Sequence, residues 1–421
     1  MAYTIITEQQ QKTGSGEQKA GAETETSSKI RGDYYITSYK GRILSALCQN
    51  DKLIQASFCA REQQSLATGT ILIGKVLNKL ENIQAVFVEL APGKRGFLPY
   101  DEITGNIPKQ GEQILVQIIK DAVKTKDPVL STDLSISGKY VVIHYKNRQF
   151  HISKKATPKQ AKRLKEALQD AYRDYPYGII LRTNATLLHD IEPLLQELEL
   201  LRQKLEHIIQ YADSRTTYSV LYQPLNAYIE KLRDTYGLDY QRVVTDDPAI
   251  YQSLSDYLRV YAPEEVSKLL LFENKSMSLL NFYKLGEKIE NALCKNVWLK
   301  CGGYLVIEPT ESLTAIDVNT GKYTEKKDRE QAVFNVNIEA AKEVARQLRL
   351  RNLSGMILVD FINMKDAEYN QALLDLLRDY VAFDPVQTNV IDMTPLGLVE
   401  ITRKKINKTL REQYNETDTN E

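Results

Sequence analysis

The chain has 421 residues, enough for two to four domains at about 150 residues each. Lys plus Arg and Asp plus Glu both number 55, so the net charge is zero and a uniformly basic nucleic-acid binder is excluded, although basic patches are not. With 43% hydrophobic and 26% charged residues the composition is that of a globular protein, and wholesale disorder is excluded. No apolar run approaches the roughly 18 residues of a membrane span, and the polar N-terminus lacks the apolar core of a signal peptide. Four cysteines (Cys48, Cys59, Cys294, Cys301) contain no C-x-x-C, which speaks against a disulfide framework and against a zinc finger. A reducing, cytoplasmic location is the expectation. The four histidines (His144, His151, His189, His207) all fall in one middle stretch. Chemistry in the last half of the chain is therefore left to carboxylates, hydroxyls and a hard metal.

Residues 1–32 are rich in Gln, Glu, Thr, Gly and Ser, and read as a disordered tail. From Asp33 two alternating apolar runs flank Gln49-Asn50-Asp51, the pattern of a hairpin. Between Thr68 and Thr132 short strand-like runs broken by Gly, Pro and charged turns predict a small barrel. The stretch from Gly138 to Arg173 then carries ten Lys and Arg against two acids. Over 190–235, Leu194, Leu195, Leu198, Leu201, Leu205 and Ile208 recur at helical spacing. From Val297 to Glu400 the text alternates: strands GYLVIEP and LTAIDVN, a helix over 337–350, strand MILVDFI, a helix over 368–380 and strand TNVIDM. Such alternation is α/β.

Two acids stand out in that last region. Asp317 closes one apolar strand and Asp360 sits inside another, where a carboxylate is costly unless paired or bound to a cation. The connecting helix, with Ile338, Ala341, Ala345 and Leu348 on one face and a C-cap at Ser354-Gly355, suits a crossover that makes the two strands neighbours. With Asn319 beside them the acids form an oxygen-only site that suits Mg²⁺ or Mn²⁺. Spacing alone equally allows two strand-end acids that cap helices or pair with Arg346, Arg349 or Arg351. That arginine run itself reads as a solvated helix face rather than an RNA contact.

The string LTAIDVNTGKYT…FNVNIEAAKEVARQLRLRNLSGMILVDFINM resembles the catalytic, DNase I-like segment of the RNase E/G family of bacterial endoribonucleases. The separation of 43 between Asp317 and Asp360 fits the family arrangement, as do GGYLVIEPTESL before and MTPLGLVEITRKK after. The resemblance extends more weakly from Tyr34 to Lys405. It implies a Mg²⁺-dependent endoribonuclease for single-stranded RNA that leaves 5′-phosphate and 3′-hydroxyl ends, stimulated by a 5′-monophosphate and acting in RNA processing and mRNA decay. Asp317 and Asp360 would hold the ion, and Asn319 would position the phosphate or water. GTILIGKV…AVFVEL…GFLPYDEI resembles the family's S1-type barrel, with Phe87 and Phe97 at its stacking positions and Lys126 at its basic contact. YGIILRTNA resembles the 5′ sensor, which makes Arg182 and Thr183 phosphate ligands and Gly138 and Val142 the backbone and stacking contacts.

The implied fold class is multidomain α/β. An RNase H-like subdomain (33–67 and 219–292) is interrupted by the barrel (68–132) and the sensor (133–218). The DNase I-like segment (293–405) and a C-terminal tail (406–421) follow. Relatives carry a CPxCxG zinc-link and a small dimerisation domain after the catalytic segment, which this sequence does not match. No zinc is therefore expected, and the expected state is a monomer or a weak dimer through another surface. Two alternatives stand beside this reading: a non-catalytic RNA-binding protein that retains the fold, and a processive exonuclease bearing an S1-type barrel.

Overall fold

The computed structural model describes residues 5–6, 30–61, 65–122, 126–173, 175–235, 238–274, 276–321 and 329–416. The chain forms two compact units, Met1–Arg61 with Thr235–Glu421, and Glu62–Asp234. The boundaries thus fall at 61/62 and 234/235, so residues 219–234 group with the inserted unit rather than with the flanking one.

The first sheet of the flanking unit runs, edge to edge, Ile5–Ile6, Leu269–Phe272, Leu238–Thr245, Ile30–Tyr39, Arg42–Gln49 and Lys52–Cys59. Asn50 and Asp51 both have positive φ (47° and 65°), the condition of a two-residue hairpin turn that matches strand twist. Lys40 and Gly41 (50° and 78°) make a second such turn, so the region expected as two strands is a three-stranded meander. Within the stretch expected to be a disordered tail, Ile5–Ile6 pairs parallel with Leu271–Phe272, and the next strand begins at Ile30 instead of Asp33. The remainder of 1–29 lies outside the described residues. The C-terminal stretch is also ordered as far as 416: Thr409 and Glu412 form a capping box for the helix Leu410–Asn415, and Leu410 is fully buried against this sheet.

The second sheet of that unit has the order Asn296–Trp298, Tyr304–Pro309, Leu313–Asn319, Gly355–Asp360, Leu398–Arg403, Thr388–Met393. One face packs Leu305, Ile316, Val318, Ile357, Val359, Val399 and Ile401 against Val336, Ala340, Val344 and Leu348 of the helix Arg329–Leu350 and Leu373 and Leu377 of the helix Ala367–Ala382. Of the predicted helix face, Ala341 and Leu348 are buried, while Ile338 and Ala345 are half-buried. Leu398–Arg403 is a strand that the alternation left unassigned; its Val399, Ile401 and Arg403 point into the core. The helix ends at Leu350, ahead of the expected Ser354-Gly355. Asn352 takes the left-handed conformation (φ 49°), and the Leu353 N–H reaches back to the Leu348 carbonyl at 3.1 Å.

A buried ion pair ties the sheet together. Arg403 donates to both oxygens of Asp384 (2.8 and 3.1 Å) and to the Leu353 carbonyl (2.8 Å), with both side chains at most 4% exposed. Replacing one partner strands the other charge in the interior, so Asp384→Ala should cost about 3–5 kcal/mol. Urea denaturation checks this: an unchanged midpoint would contradict it.

The inserted unit contains a closed five-stranded barrel, in the order Ile71–Leu80, Ala85–Ala91, Lys94–Pro99, Val129–Ser131 and Gln113–Lys120, which pairs back onto Ile71–Leu80. Leu72, Val76, Val86, Val88, Leu98, Val116, Ile118 and Leu130 fill it. This is the architecture of an OB fold. Beside it a four-stranded sheet (Ser135–Ser137, Val141–His144, Gly178–Leu181, Phe150–Ile152) packs on the helices Pro158–Arg173 and Glu192–Ala212. The region 190–235 is thus not helical throughout: Val220–Tyr222 is a strand paired with the barrel, and a short helix Ala227–Arg233 follows.

Candidate functional site

Asp317 and Asp360 are register partners on neighbouring parallel strands, and both are exposed. Strand alternation sends Thr314, Ile316 and Val318 to the core, so Asp317 and Asn319 share the opposite, open face with Asp360. Parallel partners lie about 4.8 Å apart along the hydrogen-bonding direction, close enough for two carboxylates to grip one cation. Asn319 Nδ2 donates to Asp317 Oδ2 at 2.8 Å, which fixes that carboxylate. Among the described residues no ion pair reaches either acid. No group of three or more His, Cys, Asp or Glu that could hold a metal is found among them either. An all-oxygen pair with open positions fits Mg²⁺, which keeps several waters and takes one or two carboxylates plus phosphate. It does not fit a closed four-ligand site.

The alternative partners of the acids are engaged elsewhere, and the arginine run is not a solvated face. Arg346 pairs with Glu343 at 2.5 Å and donates to the Leu53 carbonyl. Arg349 is buried against Gln55 (3.1 Å) and Arg351 against Gln347 (2.6 Å). Burial pulls both guanidinium groups down to about 10. Arg346 and Arg349 lock their helix to the first sheet.

On the barrel, Phe87 and Phe97 are cross-strand partners, edge to face with centroids 5.9 Å apart. They alternate with the buried Val86, Val88 and Leu98 and are only half-buried, so they belong to the outer surface rather than to the barrel core. The Arg95 guanidinium lies 4.7 Å over the Phe87 ring. Lys126 is exposed, two residues before Pro128, whose carbonyl accepts from Phe97 N–H at 2.8 Å. The strand that follows Lys126 thus runs beside Phe97.

Gly138, Val142, Arg182 and Thr183 also converge. Arg182 Nη1 donates to the Gly138 carbonyl at 2.6 Å, and Val142 is the register partner of Ile180 on the strand that leads into Arg182. The Thr183 and Ser153 hydroxyls are 2.8 Å apart. Two residues that sequence reasoning passed over complete this corner. Asp234 pairs with Arg182 at 2.7 Å and with Arg233 at 2.7 Å. Burial pushes its carboxyl up, but the hydrogen bonds and charges of the two arginines outweigh burial and hold it below the ordinary carboxylate range. Glu197 is buried, which raises its pKa, yet its carboxylate accepts from the backbone N–H groups of Lys139, Tyr140 and Val141 at 2.6–3.1 Å. Its signal was readable: a glutamate inside the apolar stripe Leu194, Leu198, Leu201. Asp234 offered no such signal.

Gly138 is a glycine of necessity. A Cβ there would lie 2.3 Å from the Glu197 carboxyl carbon, so the loop can close on the carboxylate only without a side chain. Gly138→Ala should destabilise the protein by about 1–3 kcal/mol through overpacking. Thermal unfolding reads the effect, and a melting point equal to that of the wild type would contradict it.

An OB-type barrel with surface aromatics, and an α/β sheet that presents two acids in register on its open face, together define a multidomain α/β protein. A family model described as the Ribonuclease E/G family matches residues 135–406. The chain is 31% identical to Ribonuclease G of Haemophilus influenzae over 369 residues, 83% of this chain and 75% of that protein. It is 30% identical to Ribonuclease G of Escherichia coli K12 over 378 residues, 85% of this chain and 77% of that protein. Ribonuclease E of a Nostoc species is 32% identical over 364 residues, 83% of this chain and 53% of that longer protein. The chain belongs to the ribonuclease E/G family. No helix among the described residues is long and apolar enough to cross a membrane.

Proposed function

We propose that this family member is an endoribonuclease of RNA processing and mRNA decay that hydrolyses single-stranded RNA with Mg²⁺ and favours substrates bearing a 5′-monophosphate. The observation that carries the reading is the register pairing of Asp317 with Asp360 on an open sheet face, with Asn319 bonded to the first acid. Two acids in register on one face, neither in an ion pair among the described residues, suit a ligand cation. Bound there, Mg²⁺ (or Mn²⁺) supplies charge neutralisation on the phosphodiester and a lowered pKa for attacking water. Asp317 and Asp360 hold the charge that fixes the ion, and the Asn319 amide orients Asp317. Water attack at phosphorus leaves a 5′-phosphate and a 3′-hydroxyl, and the last half of the chain has no histidine for a cyclising mechanism.

In the same reading the barrel is an S1-type RNA-binding domain. Phe87 and Phe97 stack bases in a sequence-tolerant way, and Lys126 meets the backbone. The Gly138–Arg182 corner is the 5′ sensor, where a guanidinium beside the Thr183 hydroxyl suits a terminal phosphate. The segment 293–405 acts as the DNase I-like part, the first sheet as an RNase H-like support, and the protein works in the cytoplasm. The experiment is incubation of a labelled circular RNA with and without Mg²⁺. Metal-dependent linearisation supports the reading. RNA that stays circular in Mg²⁺ and in Mn²⁺, while still bound, would replace it with the non-catalytic RNA-binding alternative.

A further inference from the structure

The open face of the acidic sheet ends in an aromatic pair. Trp298, the single tryptophan of the chain, is 70% exposed, and its ring lies against Tyr304 with centroids 5.1 Å apart. Val297 and Leu299 on either side pack into the core, so alternation turns Trp298 the other way. Trp298 is the register partner of Tyr304, and Tyr304 is the partner of Asn319. The two rings therefore share a face with Asn319, Asp317 and Asp360. At about 4.8 Å between strands and about 3.4 Å per residue, Tyr304 lies about 8 Å and Trp298 about 12 Å from Asp317 across the sheet. These are separations of one to two nucleotides along a strand.

The pair stands on a fixed hairpin. Leu299 N–H donates to the Gly303 carbonyl at 2.8 Å and Gly302 N–H to the Leu299 carbonyl at 3.1 Å, while Glu339 accepts from the Cys301 N–H at 3.1 Å. The charges nearby matter as well. Asp317, Asp360 and Glu400 line this face, and Glu308 is neutralised by Lys295. An acidic face offers little to phosphates away from the cation, so an RNA strand crossing it needs an uncharged anchor. A large exposed ring supplies one.

We propose that Trp298 and Tyr304 form a stacking platform for one unpaired base of the RNA strand that crosses the acidic site, and so position the nucleotide one or two places from the scissile phosphate. The proposal rests on the reading of Asp317, Asn319 and Asp360 as the cleavage site, and their continuity with the rings on one face is what makes RNA the occupant. Because every base has a π-face, the platform tolerates any sequence. Trp298 acts on the substrate base and takes no part in proton or metal chemistry.

Since Trp298 is the only tryptophan, its emission is a direct probe. The Asp360→Asn protein, in EDTA, is titrated with an unlabelled single-stranded RNA decamer, and a parallel titration follows the anisotropy of the same RNA carrying a dye. Tryptophan emission should change and saturate at the concentration where anisotropy saturates. In Mg²⁺, Trp298→Ala should lower kcat/KM by about five- to a hundredfold, and Trp298→Phe should restore most of it. An abasic nucleotide at the stacked position should remove the difference between wild type and Trp298→Ala. Unchanged emission at saturating RNA overturns the platform, as does a Trp298→Ala enzyme with wild-type kcat/KM. Emission that shifts with protein concentration in the absence of RNA also overturns it and assigns the face to a second copy of the chain. Saturable quenching by a wild-type protein that cuts no RNA would uphold stacking and overturn only the hydrolytic reading.

Discussion

Asp317→Asn and Asp360→Asn proteins are expected to fold, to bind single-stranded RNA within a few-fold of wild type, and to cleave it about a thousandfold more slowly or worse. The size follows from what the carboxylates do: charge stabilisation by a bound cation is worth several kcal/mol at the transition state, and each 1.36 kcal/mol is a factor of about ten. Affinity is expected to survive because the proposed function assigns ground-state binding to basic and aromatic surfaces such as Phe87, Phe97 and Lys126, not to the acids. Folding survives because both acids are exposed and neither is ion-paired among the described residues. Cleavage of a short labelled RNA, with circular dichroism as the control for folding, decides the matter. Turnover at the wild-type rate in Mg²⁺ would remove the metal assignment. Loss of folding would make the acids structural.

The acids were legible because a strand that buries Ile316 and Val318 has no internal reason to carry Asp317, and the same holds for Asp360 after Val359. The sequence also revealed four of the six strands of the acidic sheet in nearly their final bounds, leaving Asn296–Trp298 and Leu398–Arg403 unassigned. The misses have identifiable causes. Leu398–Arg403 buries every second residue, but its polar outer face (Glu400, Thr402) and the preceding Thr-Pro-Leu-Gly turn masked it. The helix Arg329–Leu350 begins eight residues before its predicted start, and its early turns already bury Ala332 and Val336.

Arg349 and Arg351 read as solvated charges. Burial in the tertiary structure overrode that: Arg349 finds Gln55 at a separation of 294 positions, which no local pattern encodes. Trp298 passed unnoticed for the opposite reason. A large ring between Val297 and Leu299 looks like one more core residue until register shows which way it points. Burial patterns were readable where they were local, and pairings that bring distant segments together were not.

The second large effect concerns Arg182. Arg182→Ala is expected to slow cleavage of 5′-monophosphorylated RNA by about 10- to 150-fold and to leave 5′-hydroxyl RNA nearly unchanged, the loss of one charge-assisted contact of about 1.5–3 kcal/mol. The structure adds a condition to this. Arg182 spends Nη1 on Gly138 and Asp234, so a terminal phosphate must be met by the remaining guanidinium donors while Asp234 faces it with like charge. Asp234→Asn keeps an acceptor oxygen for Arg182 and removes that charge. The preference for a monophosphate should therefore rise in this variant, whereas it should vanish in Arg182→Ala. Glu197 enters the balance only through its charge interaction with Arg182, since its carboxylate oxygens accept from three backbone N–H groups. Paired rate measurements on the two RNAs, at equal length and sequence, separate the outcomes. Equal slowing of both substrates by Arg182→Ala would mean that the arginine only holds the Gly138 loop in place, and a loss of preference in Asp234→Asn would mean that orienting Arg182 outweighs the repulsion.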